Sequence, residues 1–309
     1  VIARLQPHEH IRVRERFGQV AQDLSQVLRT DLAGSTRSVR PLREPHFLHD
    51  THHCTLLDVG RESATVKSVQ VTFLGTGAAF SPNAYNSSIL VDRTILMDAG
   101  APLTVHLPRA GVSLDEPRAV MLSHFHADHT FGLAWLILGR VLLNDRTPSL
   151  SVYGPQGTAS YLERLLDLAW GEEMRRMSWA RLQLRVQELA DGETFQVDGS
   201  RGQAFTMQHA SRLACLGFTI ERDGVKLGYT GDAEMSPQLD ALVSASDHVI
   251  SEMTYDDEGG ELHLARKDIE ELMARHPSVR FILTHRGGES SVNGAVMARD
   301  FLTLQLPLR

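Results

Sequence analysis

The stretch Ser123-His124-Phe125-His126-Ala127-Asp128-His129 constrains this chain more than any other part of it. Three imidazoles and one carboxylate fall within six residues. The run before it, Arg118 to Leu122, is short and apolar and reads as a buried strand. The run after it, Thr130 to Leu143, is apolar and long enough for a helix. The cluster therefore falls on a loop at a strand's end, where α/β folds place their sites. Imidazole and carboxylate are ligands for zinc and similar divalent ions. Four donors so close cannot all serve one tetrahedral ion. His124 and His126 flank Phe125 and can clasp one metal, while Asp128 and His129 turn another way and can hold a second. A histidine-rich solvated loop is the bland alternative, and later parts of the chain argue against it.

Three further candidates follow predicted strands. Ala204 to Met207 leads to His209, and Val279 to Thr284 leads to His285. Gly217 to Glu221 and Lys226 to Tyr229 pair around Asp223-Gly224, a tight-turn dipeptide, and lead to Asp232. The pattern His-x-His-x-Asp-His, with His209, Asp232 and His285 in that order, resembles the metallo-β-lactamase superfamily over residues 68–309. The resemblance implies an α/β fold, an αββα sandwich of two sheets with helices outside. It implies two divalent ions, zinc foremost, with manganese or iron(II) as alternatives. The first would take His124, His126 and His209. The second would take Asp128, His129 and His285, with Asp232 bridging both. Asp98, in Asp98-Ala99-Gly100, resembles the aspartate that supports the metal loop without being a ligand.

Two ions roughly 3.5–4 Å apart can share a water and lower its pKa from about 15.7 toward neutrality, so that hydroxide needs no side-chain base. That chemistry suits a phosphodiester, and equally an ester, thioester or lactam. His263, between Asp232 and His285 and after Ser251-Glu252-Met253-Thr254-Tyr255, narrows the choice. It resembles the phosphodiesterase branch, which includes ribonuclease Z and cyclic-nucleotide phosphodiesterases. The resemblance implies that His263 contacts the phosphate and protonates the leaving oxygen, with Glu252 as its orienter; Asp128 then counts among both the metal-holding and the catalytic residues. One departure bears on the substrate. Ribonuclease Z carries a long tRNA-gripping arm between the residues matching His209 and Asp232, and here only 23 positions separate them. The reading is a metal-dependent hydrolase of a small or cyclic phosphodiester. The alternatives are a carboxylic-ester, lactone or arylsulfate hydrolase on the same metals, an RNA-processing ribonuclease, and a non-catalytic metal-binding scaffold.

Elsewhere the patterns predict strands over Val69 to Leu74, Leu150 to Tyr153, Leu182 to Val186, Thr194 to Val197 and Asp247 to Ser251. A hairpin is predicted for Ser88 to Val91 with Thr94 to Met97, and helices over Thr158 to Arg176 and Arg266 to Arg275. Trp135, Trp170 and Trp179 read as core residues rather than a substrate platform.

Residues 1–67 form an N-terminal extension with no family resemblance, ahead of a hydrolase domain over 68–309. Phe17, Val20, Ala21, Leu24, Val27 and Leu28 predict an amphipathic helix within 9–32, packed on its own domain or serving a homodimer interface. Residues 46–54 hold four histidines and Cys54 without a ligand spacing. The extension carries ten basic and eight acidic residues out of 31 and 38, so residues 68–309 are strongly acidic. That argues against a broad nucleic-acid surface and for a small-molecule partner. Two cysteines make no disulfide framework, and Cys215 reads as a small core residue. No apolar run is long enough to span a membrane and no leader is visible, so a cytoplasmic location is the default expectation.

Overall fold

The computed structural model describes residues 68–143, 148–257 and 261–307. The helix predicted within 9–32 and the histidine-rich run 46–54 lie outside them. Two seven-stranded mixed sheets make up the centre, with strand orders β14-β1-β2-β3-β4-β5-β6 and β13-β12-β11-β10-β9-β8-β7. The first contains β1 (Val69–Gly75), β2 (Ser88–Val91), β3 (Ile95–Met97), β4 (Ala119–Met121), β5 (Ser151–Pro155), β6 (Arg185–Leu189) and β14 (Thr303–Leu306). The second contains β7 (Thr194–Val197), β8 (Ser200–Thr206), β9 (Leu216–Arg222), β10 (Val225–Tyr229), β11 (His248–Glu252), β12 (Arg280–Thr284) and β13 (Val296–Met297).

Between the sheets, Val69, Val71 and Phe73 share one buried cluster with Phe195, Phe218, Ile220 and Ile282. The other face of the first sheet carries Leu74, Leu90 and Leu96. They pack with α1 (Leu103–Arg109), α2 (Ala127–Leu143), α3 (Thr158–Trp170) and α4 (Glu172–Leu182). The outer face of the second sheet carries Val249, Phe281 and Leu283 against α5 (Pro237–Ser244) and α6 (Arg266–Arg275). This is the αββα sandwich. Because both faces are covered, β2, β3, β4 and β11 are buried at every residue, as expected of strands with a helix layer on one side and a second sheet on the other. Among the described residues no helix is long and apolar enough to cross a membrane.

The structure departs from the sequence expectations at several points. The helix predicted from Thr158 to Arg176 is two helices, because the chain breaks at Gly171, whose φ of 82° and ψ of 165° end α3 and open α4. The continued apolar spacing through Met174 and Met177 conceals this break. The strand predicted from Leu182 starts instead at Arg185, since Leu182 is the buried last residue of α4. Beyond the predicted strand end at Tyr153, Gly154 and Pro155 continue β5 and pair with Glu188 and Leu189. Trp135 is not core: it is 55% exposed, while its ring meets Trp170 edge-on at 4.7 Å. Cys215 is buried, and burial raises its thiol pKa to about 12, so it is an inert core residue at neutral pH.

Candidate metal centre and active site

Strand β4 ends at Met121 and the chain turns through Ser123 to His126 before α2 begins at Ala127. Asp128 and His129 therefore lie in the first turn of a helix rather than on the preceding loop. A carboxylate suits that position, because the helix N-terminus carries partial positive charge. From the second sheet, His209 follows β8, Asp232 follows β10 and His285 follows β12. Two of these approaches use left-handed backbone: Gly231 has φ 58° and His285 itself has φ 48°. For a non-glycine residue such a conformation costs about 1–3 kcal/mol and persists only where its surroundings enforce it.

The side chains converge in two groups that share Asp232: His124, His126 and His209 with one of its oxygens, and Asp128, His129 and His285 with the other. In the second group His129 Nε2 lies 3.4 Å from Asp128 Oδ2 and 3.3 Å from Asp232 Oδ1. His285 Nε2 lies 3.3 Å from Asp128 Oδ2 and 3.4 Å from Asp232 Oδ1. Four donors at about 2.0–2.1 Å from a tetrahedral zinc are about 3.3–3.4 Å apart, so these spacings fit one ion. In the first group His126 Nδ1 is 2.9 Å from His124 Nε2 and 3.4 Å from His209 Nε2. Asp232 Oδ2 stands 3.7 and 3.8 Å from those two Nε2 atoms. This set is looser but of the same size.

The hydrogen bonding also calls for cations. His129 Nε2 and Asp232 Oδ1 are buried and have no hydrogen-bond partner. His129 Nδ1 donates to Asp98 Oδ2 at 2.7 Å. Nδ1 of His209 donates to the Leu262 carbonyl at 2.7 Å, which leaves its Nε2 lone pair for an ion. Burial opposes a charge on His129, but Asp232 and Asp98 outweigh it and hold its pKa well above the ordinary histidine value. His129 Nε2 could hold a dication, which would supply that positive charge in place of the proton. The residues thus fit two divalent ions.

Asp98 sits behind the centre, fully buried, with φ 55°. It accepts from the Ser123 backbone at 2.7 Å, the Ser123 hydroxyl at 2.8 Å and the Tyr229 hydroxyl at 2.5 Å, as well as from His129. Sequence reasoning placed Asp98 here but not Tyr229, which reaches it from the opposite sheet. Two residues on, a Cβ at Gly100 would stand 1.6 Å from the Asp128 carbonyl oxygen. Gly100→Ala should therefore push the 127–129 turn outward and weaken metal binding by about 10–100-fold, the usual cost of disturbing the support behind ligands. Competition with a chelating dye measures this, with circular dichroism confirming the fold. Unchanged affinity would show that the turn yields without moving its ligands.

His263 lies beside the metal groups, its ring 4.8 Å from that of His209 and 5.6 Å from that of His285. Its Nδ1 donates to the buried Glu252 carboxylate at 3.0 and 3.1 Å. Glu252 also accepts from the Ala233 backbone at 2.7 Å and the Thr254 hydroxyl at 2.6 Å. Its oxygens are thus engaged in hydrogen bonds, so the Glu252–His263–His285 grouping is a network rather than a third metal cage. Burial works against a charge on His263, but the hydrogen bond and charge of Glu252, with Asp232 beyond, raise its pKa above the ordinary value. Thr254, not foreseen from sequence, also lies 3.0 Å from His285 Nδ1.

These groups open into a cavity of about 820 Å³ lined by His126, Asp128, Asp232, His263 and His285, among others. Its lining also includes Tyr255, and Phe80 and Phe131, two residues that no sequence pattern singled out.

The sandwich and its paired histidine–aspartate groups define a metallo-β-lactamase-fold protein. The metallo-β-lactamase fold protein YhfI from Bacillus subtilis superposes with a TM-score of 0.64 at 18% identity, covering 77% of this chain and 99% of that one. Ribonuclease Z of Mycobacterium marinum is 29% identical over 191 residues, 58% of this chain and 68% of that protein. Ribonuclease BN of Cronobacter sakazakii is 28% identical over 160 residues, 50% of this chain and 49% of that protein; the match spans about half of that relative's length. The chain belongs to the family described as Anti-Pycsar protein Apyc1, which matches residues 69–296.

Proposed function

We propose that this protein hydrolyses a small or cyclic phosphodiester with the help of two divalent ions, zinc foremost and manganese or iron(II) next. The nitrogen-rich donor set supports zinc. When bound, the two ions would supply Lewis acidity and hydroxide at neutral pH. The chain's own part is to place the phosphate between those ligands and His263, and to deliver a proton. Glu252 holds Nδ1–H of His263, which leaves Nε2 as the nitrogen able to give a proton to the departing oxygen. The buried Glu252–His263 pair at the cavity's edge is the observation that carries this reading, because a leaving ribose alkoxide needs an acid, whereas the phenolate of an arylsulfate departs with little protonation.

Two observations support a small substrate over a long nucleic acid. The link from His209 to Asp232 is taken up by β9 and β10 and their two-residue turn, with Asp223 at φ 50° and Gly224 at φ 83°. The described residues that line the cavity include no lysine or arginine, whereas a polyanion is held by many such contacts. Metal-loaded protein assayed on bis-p-nitrophenyl phosphate, a cyclic nucleotide, p-nitrophenyl sulfate and a lactone tests the reading. Turnover confined to the two phosphodiesters is the expected result; faster turnover of the sulfate or the lactone would transfer the assignment to ester hydrolysis.

A further inference from the structure

Thr254 stands between two groups with separate jobs, the metal-facing His285 and the acid His263. It comes two residues after Glu252, the last residue of β11, and lines the cavity. Its hydroxyl oxygen lies 2.6 Å from Glu252 Oε2, 3.0 Å from His285 Nδ1, 3.2 Å from the His285 carbonyl and 3.3 Å from His263 Nδ1.

A hydroxyl has one proton to give. The Glu252 carboxylate is the nearest acceptor and a charged one, so it takes that proton. The lone pairs of the Thr254 oxygen then face His285 Nδ1, which must be the donor. With its proton on Nδ1, His285 leaves Nε2 bare between Asp128 Oδ2 at 3.3 Å and Asp232 Oδ1 at 3.4 Å. That is the form a metal-holding imidazole needs. His263 Nδ1 is nearer to the Glu252 oxygens, at 3.0 and 3.1 Å, than to Thr254, and donates there. The protons therefore point from His285 to Thr254, from Thr254 to Glu252, and from His263 to Glu252.

The backbone keeps the hydroxyl in this place. The Thr254 carbonyl accepts from Gly287 N–H at 3.2 Å, and a Cβ at Gly287 would stand 2.7 Å from that oxygen. Met253 N–H donates to the Thr284 carbonyl at 3.0 Å. The segment is thus pinned on both sides of His285, the residue with left-handed backbone.

We infer that Thr254 is a positioning residue that ties the metal ligand His285 to the same carboxylate that orients His263. The inference rests on the two-ion phosphodiesterase reading. Metal-holding histidines commonly donate their second N–H straight to a carboxylate, a carbonyl or water. Here a hydroxyl is interposed, so its loss breaks the branch to His285 and spares the direct bond between His263 and Glu252. Loss of the Glu252 charge disturbs both branches, because an amide would place a donor where the Ala233 backbone, Thr254 and His263 all donate.

The test measures stepwise zinc dissociation constants of the full chain by competition with chelating dyes, which needs no turnover. Thr254→Val should weaken one of the two ions by about 10–100-fold, the usual cost of losing a partner behind a ligand. Combined with His285→Ala, it should leave the ion that His285→Ala retains unaffected. Thr254→Ser should keep wild-type affinity, and Glu252→Gln should weaken the same ion as Thr254→Val. In turnover with saturating zinc, Glu252→Gln should lose more on adenosine 3′,5′-cyclic monophosphate than on bis-p-nitrophenyl phosphate. Any loss in Thr254→Val should be equal on the two. Unchanged zinc affinity in Thr254→Val, weakening of both ions, or a Thr254→Ser variant as weak as Thr254→Val would overturn the inference in favour of a packing role. Should Thr254→Val fail to fold, Glu252→Gln decides: unchanged affinity for both ions would overturn the inference equally. Wild type that binds two ions but is inert on both diesters would sink the phosphodiesterase reading alone, since the zinc measurements judge Thr254 without turnover. Wild type that takes up no second ion would overturn the dinuclear centre and the role of Thr254 with it.

Discussion

Asp232→Ala is expected to strip both ions from the protein, where His285→Ala removes chiefly one. The difference follows from which atoms face which group. Oδ1 of Asp232 stands among Asp128, His129 and His285, and Oδ2 faces His124 and His209. His285 meets only the second group. Elemental analysis after metal loading and desalting gives the answer directly. Wild type should hold about two ions per chain, His285→Ala about one, and Asp232→Ala little of either. A wild-type stoichiometry below one after supplementation would sink the dinuclear centre altogether. Equal losses in the two variants would mean that Asp232 does not bridge.

The second large effect concerns His263. Its ring is anchored by Glu252 and is outside the two bridged groups, so His263→Ala should keep fold and metal content. Loss of a positioned general acid typically costs about 10²–10⁴-fold in rate. The cost should depend on the leaving group. p-Nitrophenolate departs with little protonation, while a ribose alkoxide needs it, so the variant should fall much further on a cyclic nucleotide than on bis-p-nitrophenyl phosphate. Equal losses on the two would reduce His263 to a phosphate contact. Full activity on both would remove the main support for the phosphodiester assignment.

The parts of this molecule that can be read from sequence are those fixed by short-range chemistry. The cluster from His124 to His129 is legible because its donors are neighbours along the chain. The β9–β10 hairpin is legible because Asp223-Gly224 suits a tight turn. What escapes the sequence depends on distant partners. β14 closes the edge of the first sheet by pairing Leu306 with Val69 across nearly the whole described chain, and no local pattern announces that. The same holds for Tyr229, whose hydroxyl reaches Asp98 from the other sheet. Arg140 is fully buried and donates to the carbonyls of Pro117 and Pro148; in sequence it is simply the charge near the end of an apolar helix. Gly171 conceals its break because the apolar spacing continues through it.

The origin of the ligands has a bearing on how the sandwich comes apart. His124, His126, Asp128 and His129 descend from the first sheet, and His209, Asp232 and His285 from the second. Each ion would therefore be gripped from both halves, acting as a clasp across the hydrophobic seam. Unfolding that parts the sheets must release both ions, so free metal opposes it by mass action, about 2.7 kcal/mol for one site at a hundred times its dissociation constant. The same donors that serve catalysis would then make folding itself a function of metal supply, and a chelator would loosen the whole molecule rather than only silence its active site.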